Sequence, residues 1–286
     1  MNLVRSLADL DAGPRRCDRP GDRTFLIGIH HWSCLVARDL ARTEARIYAS
    51  HILQTLPNAK IAVLYQNDDF GKDYLRGFTD GLGDKAQMIV DEASYEVSDP
   101  TVEQQVVQLR ASGANVFFMV VTPKFAAQAI RKAYNLGWKA VRYVGYPATS
   151  VAATLMPAGL EISTGIISST YLKDPTDPQW QDDAALREWA AFMKTYYPEG
   201  SLLDAFNVNG YAAAQTLVQV LKQCGDDLTR ENIMRQAANL KGLQLGVLLP
   251  GVVIDTSPSD YAPLESMQLM RFNGQQWVRF GDVLVR

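Results

Sequence analysis

The chain has 286 residues, of which 47% are hydrophobic and 21% charged, a composition typical of a folded globular protein and not of a disordered chain. Its 28 basic and 31 acidic residues give a formal net charge of -3, without the basic surplus of a nucleic-acid binder. No apolar run approaches the ~20 residues needed to span a membrane, and three isolated cysteines argue against a disulfide framework or a metal site.

Residues 1–42 show no sustained hydrophobic period. Phe25–Ile29 is predicted to form a strand, and the rest of this segment stays unassigned. A secretory signal needs an apolar run of about 7–15 residues after a basic start, and Asp9 and Asp11 interrupt that run. The chain as written is therefore expected to carry no export signal and to be cytoplasmic.

Helices and strands alternate from Thr43 to Ser169. Thr43 is predicted to cap the first helix, Thr101 and Gln104 to form a capping box, and Thr122 to cap a helix that begins at Pro123. The predicted strands are Lys60–Tyr65, Met88–Tyr95, Val116–Val121, Val141–Gly145 and Gly165–Ser169. This alternation predicts an α/β fold, in which βαβ units build a parallel sheet with helices on both faces.

The pattern changes after Tyr171. A Pro- and Asp-rich connection leads to three helices, whose apolar faces have to pack on another layer. Either they pack on the first sheet or their own sheet is missing. The predicted helices are roughly Asp182–Tyr197, Asn207–Cys224 and Thr229–Leu240, with Tyr211, Val218 and Leu221 facing inward on the second. Strand-like sequence returns at Leu248, and Asn273-Gly274 predicts a hairpin between the last two strands.

Residues that follow the strands are the first candidates for a binding site, because ligands of open α/β sheets bind beyond the carboxyl ends of the strands. This rule selects Asn67–Phe70, Val121–Pro123, Tyr146–Thr149 and the neighbourhood of Tyr171. The helix that begins at Pro123 offers free N–H groups to an anion. The alternative, that Thr122 is only a helix cap, stays open at this point.

Enzyme motifs are absent from the sequence. No G-x-G-x-x-G follows a strand, and there is no G-x-x-x-x-G-K-[ST] loop and no G-x-S-x-G nucleophile elbow. His30 and His31 are adjacent and His51 stands alone, so no metal-ligand set is completed. We therefore expect neither catalysis nor a metal ion, although an α/β enzyme is kept as a lesser alternative.

Three long segments resemble the type I periplasmic solute-binding proteins of the branched-chain amino acid class. They are KIAVLYQNDDFGKDYLRGFTDGL, DPTVEQQVVQLRASGANVFFMVVTPKFAAQAIRKAYNLGW and FNVNGYAAAQTLVQVLKQCGDDLTRENIMRQAANLKGL. The resemblance runs from about Thr43 to the C-terminus and implies two α/β lobes that close on a ligand. It assigns residues 43–170 plus 249–286 to the second lobe and 171–248 to a returning helical part of the first. Residues 1–42 are unmatched, and most of the N-terminal lobe is expected to be missing.

The resemblance implies a function as well. Such a protein is the periplasmic, non-catalytic substrate-binding subunit of an ABC importer, with a small-molecule solute and a permease as partners and no cofactor, nucleic acid or membrane span. The missing lobe is expected to impair binding. The alternative is a ligand-sensing regulatory module of the same fold.

Phe70 and Phe206 fall where the family places aromatic walls of the ligand pocket. Together with the strand-end residues this predicts a site formed by Asp69, Phe70, Val121, Thr122, Tyr146, Pro147, Ala148, Tyr171 and Phe206. The stretch Gly145–Ser150 has no acidic residue where amino-acid binders hold the ligand ammonium, and Val121 replaces a tyrosine of some members. The predicted ligand is therefore a branched-chain amino acid or a related small carboxylate, amide or aromatic acid.

Overall fold

Helices and strands alternate through the first half of the structure. The computed structural model describes the backbone of residues 25–285 and the side chains of residues 40–285. In chain order the elements are α1 (Phe25–Thr55), β1 (Ile61–Gln66), α2 (Asp69–Leu82), β2 (Ile89–Tyr95), α3 (Glu103–Ala111), β3 (Val116–Val120), α4 (Pro123–Asn135), β4 (Val141–Val144), β5 (Ile167–Thr170), α5 (Ala184–Tyr196), α6 (Ala205–Cys224), α7 (Arg230–Ala237), β6 (Ser266–Phe272) and β7 (Trp277–Val285). Short helical turns occupy Gly83–Met88, Tyr146–Ala148, Val151–Leu155, Met156–Ala158 and Pro178–Trp180.

Within residues 25–285, seven strands form one sheet in the order β2-β1-β3-β4-β5-β6-β7. The first five strands are parallel, as their helical crossovers require, with Ile61 opposite Val116 and Val116 opposite Val141. The last two strands return antiparallel to β5, with Thr170 opposite Gln268. The α/β fold class predicted from the alternation is confirmed.

The two faces of the sheet bury alternate residues of each strand. In β3, Phe118 packs on the side of α1 and α2, whereas Phe117 and Met119 pack on the side of α3 and α4. Side chains alternate along a strand, so a strand covered on both faces needs an unbroken apolar run. The run Val116–Val121 meets that requirement, and every one of its residues is buried.

Helix α1 contradicts two predictions. Phe25–Ile29 is helical and not a strand, and Thr43 lies inside the helix instead of capping it. The apolar stretch near Phe25 has no clear period, and periodicity alone does not separate a strand from a buried helix in such a stretch. The inward face of this helix was predicted correctly, because all four predicted residues are buried: Ala45, Tyr48, Ala49 and Ile52.

Two further local predictions differ from the structure. The N-cap of α3 is Val102, so the predicted capping box of Thr101 and Gln104 is not formed, although the Thr101 hydroxyl accepts the Glu103 N–H at 3.2 Å. Thr122 does precede α4, but its hydroxyl makes no capping hydrogen bond. The predicted hairpin between β6 and β7 is confirmed: the Asn273 side chain accepts from two loop amides, and Gly274 has φ of 100°.

The three later helices share the core of α1 and α2. Trp189 of α5 is only 2% exposed and belongs to the same buried cluster as Phe118. The connection after α7 contributes Leu240, Val247 and Leu248 to that cluster, so helices and connection cover one another.

Two predictions for this half of the chain differ from the structure. Leu248–Asp255 was predicted as strand-like but forms only single bridges. Val218 was predicted to face inward but is 49% exposed. Among residues 25–285, no helix is both long and apolar enough to cross a bilayer.

Candidate functional site

A cavity of about 200 Å³ lies beside the ends of β4 and β5. Tyr146 and Thr170, at or just beyond the carboxyl ends of these strands, form one side. The connection after β5, the start of α6 and the start of β7 close the rest, with Asp174, Phe206 and Trp277 in the wall. The Trp277 indole N–H donates to the Thr149 carbonyl at 2.8 Å, which fixes β7 against the segment after β4. The cavity therefore lies where the strand-end rule predicts a ligand site.

An aromatic cluster forms the inner wall. The Tyr146 ring lies 5.2 Å from the ring of Tyr171 and 6.0 Å from that of Phe206, between centroids. The Tyr171 hydroxyl donates to the Asn209 side chain at 2.9 Å, which holds it on α6. Aromatic rings at such distances pack favourably in edge-on and offset arrangements. The wall thus consists of apolar ring faces together with the hydroxyl groups of the two tyrosines.

The Tyr146 hydroxyl is buried and makes no hydrogen bond of good geometry to residues 40–285, although the Tyr171 hydroxyl is close enough for a weak one. Its residue is 6% exposed. Burial, followed by the nearby Tyr171 hydroxyl and the Asp174 carboxylate, raises the pKa of Tyr146 well above its usual value. The phenol is therefore neutral at physiological pH and keeps a proton to donate. Most buried polar groups are paired, so an unpaired donor at a cavity marks a place for a ligand acceptor.

Charged side chains form the rim of the cavity. Asp204 caps α6 by accepting from the Phe206 N–H, and Asp174 accepts from the backbone and the hydroxyl of Thr176. Arg279 lies with its guanidinium 4.8 Å from the Trp180 ring and 3.7 Å from Asp177. Its Nε is buried without a hydrogen-bond partner in the described part of the chain. The terminal nitrogens of this guanidinium donate to Gln268 and Gln179, so three aspartates and one already hydrogen-bonded arginine line this part of the cavity.

Of the nine predicted site residues, the structure places two in the cavity wall, Tyr146 and Phe206, with Tyr171 packed behind them. Phe70 is half-buried beside Tyr74, with the rings 5.1 Å apart, and Asp69 is exposed at the start of α2. Neither lines the cavity. Asp68, and not Asp69, caps α2 by accepting from the Gly71 N–H at 3.0 Å.

The other four predicted residues do not line the cavity. Val121 and Ala148 are buried in the core on the α3 and α4 side of the sheet. The Thr122 N–H donates to the Tyr95 hydroxyl at 3.1 Å, and Pro147 is partly exposed. Sequence reasoning missed Asp174, Trp277 and Arg279. The only signal for the first was its place in the Pro- and Asp-rich connection, and the other two sit in a strand that carried no functional motif.

Comparison with known proteins gives a family match and a set of similar structures. The model of a family described as "periplasmic binding protein" matches residues 31–276. A branched-chain amino acid ABC transporter protein from Thermus thermophilus with bound valine is similar at a TM-score of 0.72 and 16% identity, covering 85% of this chain and 65% of that one. Among curated protein sequences, none matches.

Two further structures are similar. A substrate-binding periplasmic protein from Ralstonia solanacearum has a TM-score of 0.70 and 20% identity, covering 84% of this chain and 66% of that chain. A fatty acid ABC transporter substrate-binding protein from Thermomonospora curvata has a TM-score of 0.65 and 20% identity, covering 87% and 63%. At these identities the likeness shows the fold. The present chain spans just under two thirds of the length of each of the three structures.

Proposed function

Because the chain belongs to the periplasmic binding protein family, we propose that it is a solute-binding component of an ABC importer. Its function is capture of a small solute and not catalysis, its protein partner is the importer's permease, and its compartment is the periplasm. The solute is a branched-chain amino acid or a related small carboxylate, amide or aromatic acid. We also propose that two lobes close on that solute. This chain spans only part of the length of the similar structures, so closure is proposed for it and not carried over from them.

The observation that carries the proposal is the unpaired Tyr146 hydroxyl at an aromatic-walled cavity. Leaving a buried donor unsatisfied costs about 1–3 kcal/mol, and a ligand acceptor would recover that energy. Ligand pockets combine apolar walls with a few placed polar groups, which is the arrangement of Phe206, Trp277 and Tyr146 here. A cavity of about 200 Å³ favours a small solute over a long one.

The charges around the cavity support a solute with a carboxylate or amide. The Nε of Arg279 has no hydrogen-bond partner among the described residues and can offer one donor to a carboxylate oxygen, while its two terminal nitrogens already donate to Gln268 and Gln179. Asp174 and Asp204 can accept from an amide or ammonium N–H of the same solute. One of the similar structures is described with bound valine, and another is described as a fatty acid transporter protein. Valine and fatty acids both carry a carboxylate.

Thermal melts of the purified chain with a solute panel test the proposal. The panel contains L-leucine, L-valine, acetamide, urea, benzoate and octanoate. A solute at about 100 times its Kd stabilises a protein by about 2.7 kcal/mol, which raises Tm by several degrees in a chain of this size. We expect one chemical class to raise Tm. If no class does so at concentrations up to the solubility limit, solute capture by this chain is refuted.

A matched pair of tyrosine variants locates the binding site. Tyr146→Phe removes a hydroxyl that makes at most a weak contact with Tyr171, so it should leave the Tm of the solute-free protein nearly unchanged and abolish most of the solute-induced rise. Tyr143→Phe is the control, because its hydroxyl bonds to His51 Nδ1 at 2.7 Å, away from the cavity. It should lower Tm while keeping the solute-induced rise. Equal rises in both variants would place the site elsewhere.

A further inference from the structure

A single buried carboxyl group on α1 connects the elements that surround the cavity. Glu44 is fully buried, and its Oε1 accepts from the Tyr146 N–H at 2.8 Å and from the Ser169 hydroxyl at 2.8 Å. The Tyr48 hydroxyl donates to the same oxygen, and the Tyr74 hydroxyl donates to Oε2. We call these five residues the Glu44 cluster: Glu44, Tyr48, Tyr74, Tyr146 and Ser169. All four donors lie within hydrogen-bond reach of one carboxyl group, and two of them, Tyr48 and Ser169, also reach other acceptors.

The cluster joins elements that are far apart in the sequence. Tyr146 follows β4 and is 102 residues from Glu44, whereas Ser169 belongs to β5 and is 125 residues away. Tyr74 lies on α2. Tyr146 carries the cavity's aromatic wall, and Ser169 stands two positions before Tyr171, whose ring packs on that wall. The carboxyl group therefore fixes the ends of β4 and β5 relative to α1.

An apolar residue would serve packing at least as well as this glutamate. A buried carboxyl group is costly unless it is hydrogen-bonded, and buried ionic groups often stabilise a fold no more than apolar ones do. Burial raises the pKa of Glu44, and the hydrogen bonds from Tyr48, Tyr74, Ser169 and Tyr146 only oppose that shift. Replacing it with leucine would leave an amide and three hydroxyls without their acceptor. What the carboxyl group adds is a fixed direction for each donor.

We infer that Glu44 is the positioning residue of the cavity: its carboxyl group holds the backbone at Tyr146 and so sets where the Tyr146 ring and hydroxyl stand. Glu44 does not line the cavity itself and acts through Tyr146. The inference rests on the proposed function, because the position of the Tyr146 ring and hydroxyl has a purpose only if a solute binds in the cavity. Its geometric part is testable without any solute.

NMR of protein labelled with ¹⁵N-tyrosine gives the direct test, because Tyr146 reports through its own amide. We expect the Tyr146 amide resonance to move with pH between 4 and 8 as Glu44 ionises, and Glu44→Gln to remove that part of the movement. Asp174 and Asp204 also act on Tyr146, so only the movement that Glu44→Gln removes is assigned to Glu44. The other titratable groups facing Glu44 are Tyr48, Tyr74, Tyr146 and Tyr171, and burial raises the pKa of each, so they stay protonated in this range. Tyr143→Phe, outside the cluster, should titrate as the wild type does.

Ser169→Ala and Tyr74→Phe keep the test decisive if Glu44→Gln does not fold. Each removes one donor to the carboxyl group, and such donors favour the ionised form. Both variants should therefore shift the midpoint of the Tyr146 resonance to higher pH. A Tyr146 resonance that ignores pH in the wild type and keeps its position in all three variants overturns the inference. So does a midpoint that Tyr143→Phe moves as much as Tyr74→Phe.

The solute melts separate this inference from the proposed function. With the solute that raises wild-type Tm, Glu44→Gln should lose at least half of the rise, and Tyr143→Phe should keep it. Equal rises in these two variants overturn the role of Glu44 in binding, while solute capture stands. If no panel solute raises the Tm of the wild type, the proposal of solute capture fails. The pH dependence of the Tyr146 resonance still decides whether Glu44 holds the backbone at Tyr146.

Discussion

Asp183 combines two roles at one residue. Its Oδ1 accepts from the N–H groups of Ala185 and Leu186 at 3.1 and 3.0 Å and so caps α5, while Oδ2 lies 2.6 Å from Lys173 Nζ. Burial raises the pKa of Asp183, but the Lys173 hydrogen bond and the helix amides outweigh it and hold the pKa below its usual value. The ionised carboxylate is therefore the form that stabilises the folded chain.

Asp183→Ala should lower the free energy of unfolding at pH 7 by about 1–2 kcal/mol, the usual loss for a removed N-cap. Because folding lowers the pKa of Asp183, its contribution is full above the unfolded value of about 3.9 and declines as the pH falls through the folded value. Urea denaturation at pH 7 and pH 3 should therefore show a smaller difference at pH 3.

Asp182→Ala is the control for that experiment. Asp182 is 98% exposed and lies 3.7 Å from Arg187. Exposed pairs of this kind contribute little, so the variant should stay within about 0.5 kcal/mol of the wild type. If the two variants lose equal stability at pH 7, the cap and the Lys173 pair do not have the role assigned to them.

Sequence reasoning located part of the site at the residue scale. Tyr146 was predicted from the end of a parallel strand and Phe206 from the family resemblance, and both lie in the cavity wall. Val121 follows a strand just as Tyr146 does, yet it faces the opposite core. Which face a residue takes after its strand ends depends on the path of the loop. Glu44 had no local signal, since its partners lie on other elements.

Helices α1 and α2 pack closely, and a glycine permits the contact. A Cβ placed on Gly77 of α2 would lie 2.6 Å from the Arg42 Cα and 2.7 Å from the Arg42 carbonyl oxygen on α1. Backbone atoms at that distance cannot move aside as the end of a flexible side chain can. The separation of α1 from α2, and with it the place of Glu44 above the strand ends, therefore depends on a missing side chain.

Gly77→Ala should destabilise the protein by about 1–3 kcal/mol, the usual cost of overpacking. Helix propensity alone would favour alanine by roughly 1 kcal/mol. A loss of stability in Gly77→Ala would therefore come from the steric clash and not from helix propensity. Gly210→Ala on α6 is the matched control, because Gly210 is exposed and a Cβ there meets nothing within 4 Å. That variant should be as stable as the wild type or more stable in urea denaturation. A stabilising Gly77→Ala would show that α1 and α2 are not held this closely.

Elements with a clear pattern were predicted well from the sequence. β3 is uniformly apolar, and α4 shows Phe125, Ala129, Ile130 and Ala133 at helical spacing, all buried as predicted. The start of α1 was wrong because its apolar residues follow no single period. Leu248–Asp255 was wrong because apolar content alone does not supply a partner strand.

At the scale of the whole molecule, both halves of the described chain share one core. The buried faces of α5, α6 and α7 join the cluster that α1 and α2 form on the sheet. These helices therefore have a packing partner within residues 40–285, and the expectation that most of the N-terminal lobe is missing stays a prediction. The assignment of residues 43–170 plus 249–286 to one lobe and 171–248 to another stays a prediction, which the return of β6 and β7 to the same sheet supports.

A shared core predicts one cooperative unfolding transition. Trp189 lies in α5, and Trp138 stacks on Phe117 of β3 with ring centroids 4.6 Å apart, so the two indoles report on different regions. Urea unfolding followed by fluorescence of the Trp189→Phe and Trp138→Phe variants and by far-UV circular dichroism should give one midpoint for each protein. Two separated midpoints within either variant would mean that α5, α6 and α7 unfold independently of the sheet.

The sequence by itself determined the α/β class, the order of most strands and helices, and the resemblance that the family match confirmed. The fold class and the order of the elements follow from hydrophobic period and turn residues, which act between neighbours along the chain, whereas the resemblance rests on three long sequence segments. Only the tertiary structure decided that Tyr146, Phe206, Trp277 and Arg279 share a cavity and that Glu44 gathers four donors. Contacts across a hundred residues depend on crossover geometry and on how closely helices approach. No local pattern in the sequence encodes either of these distances.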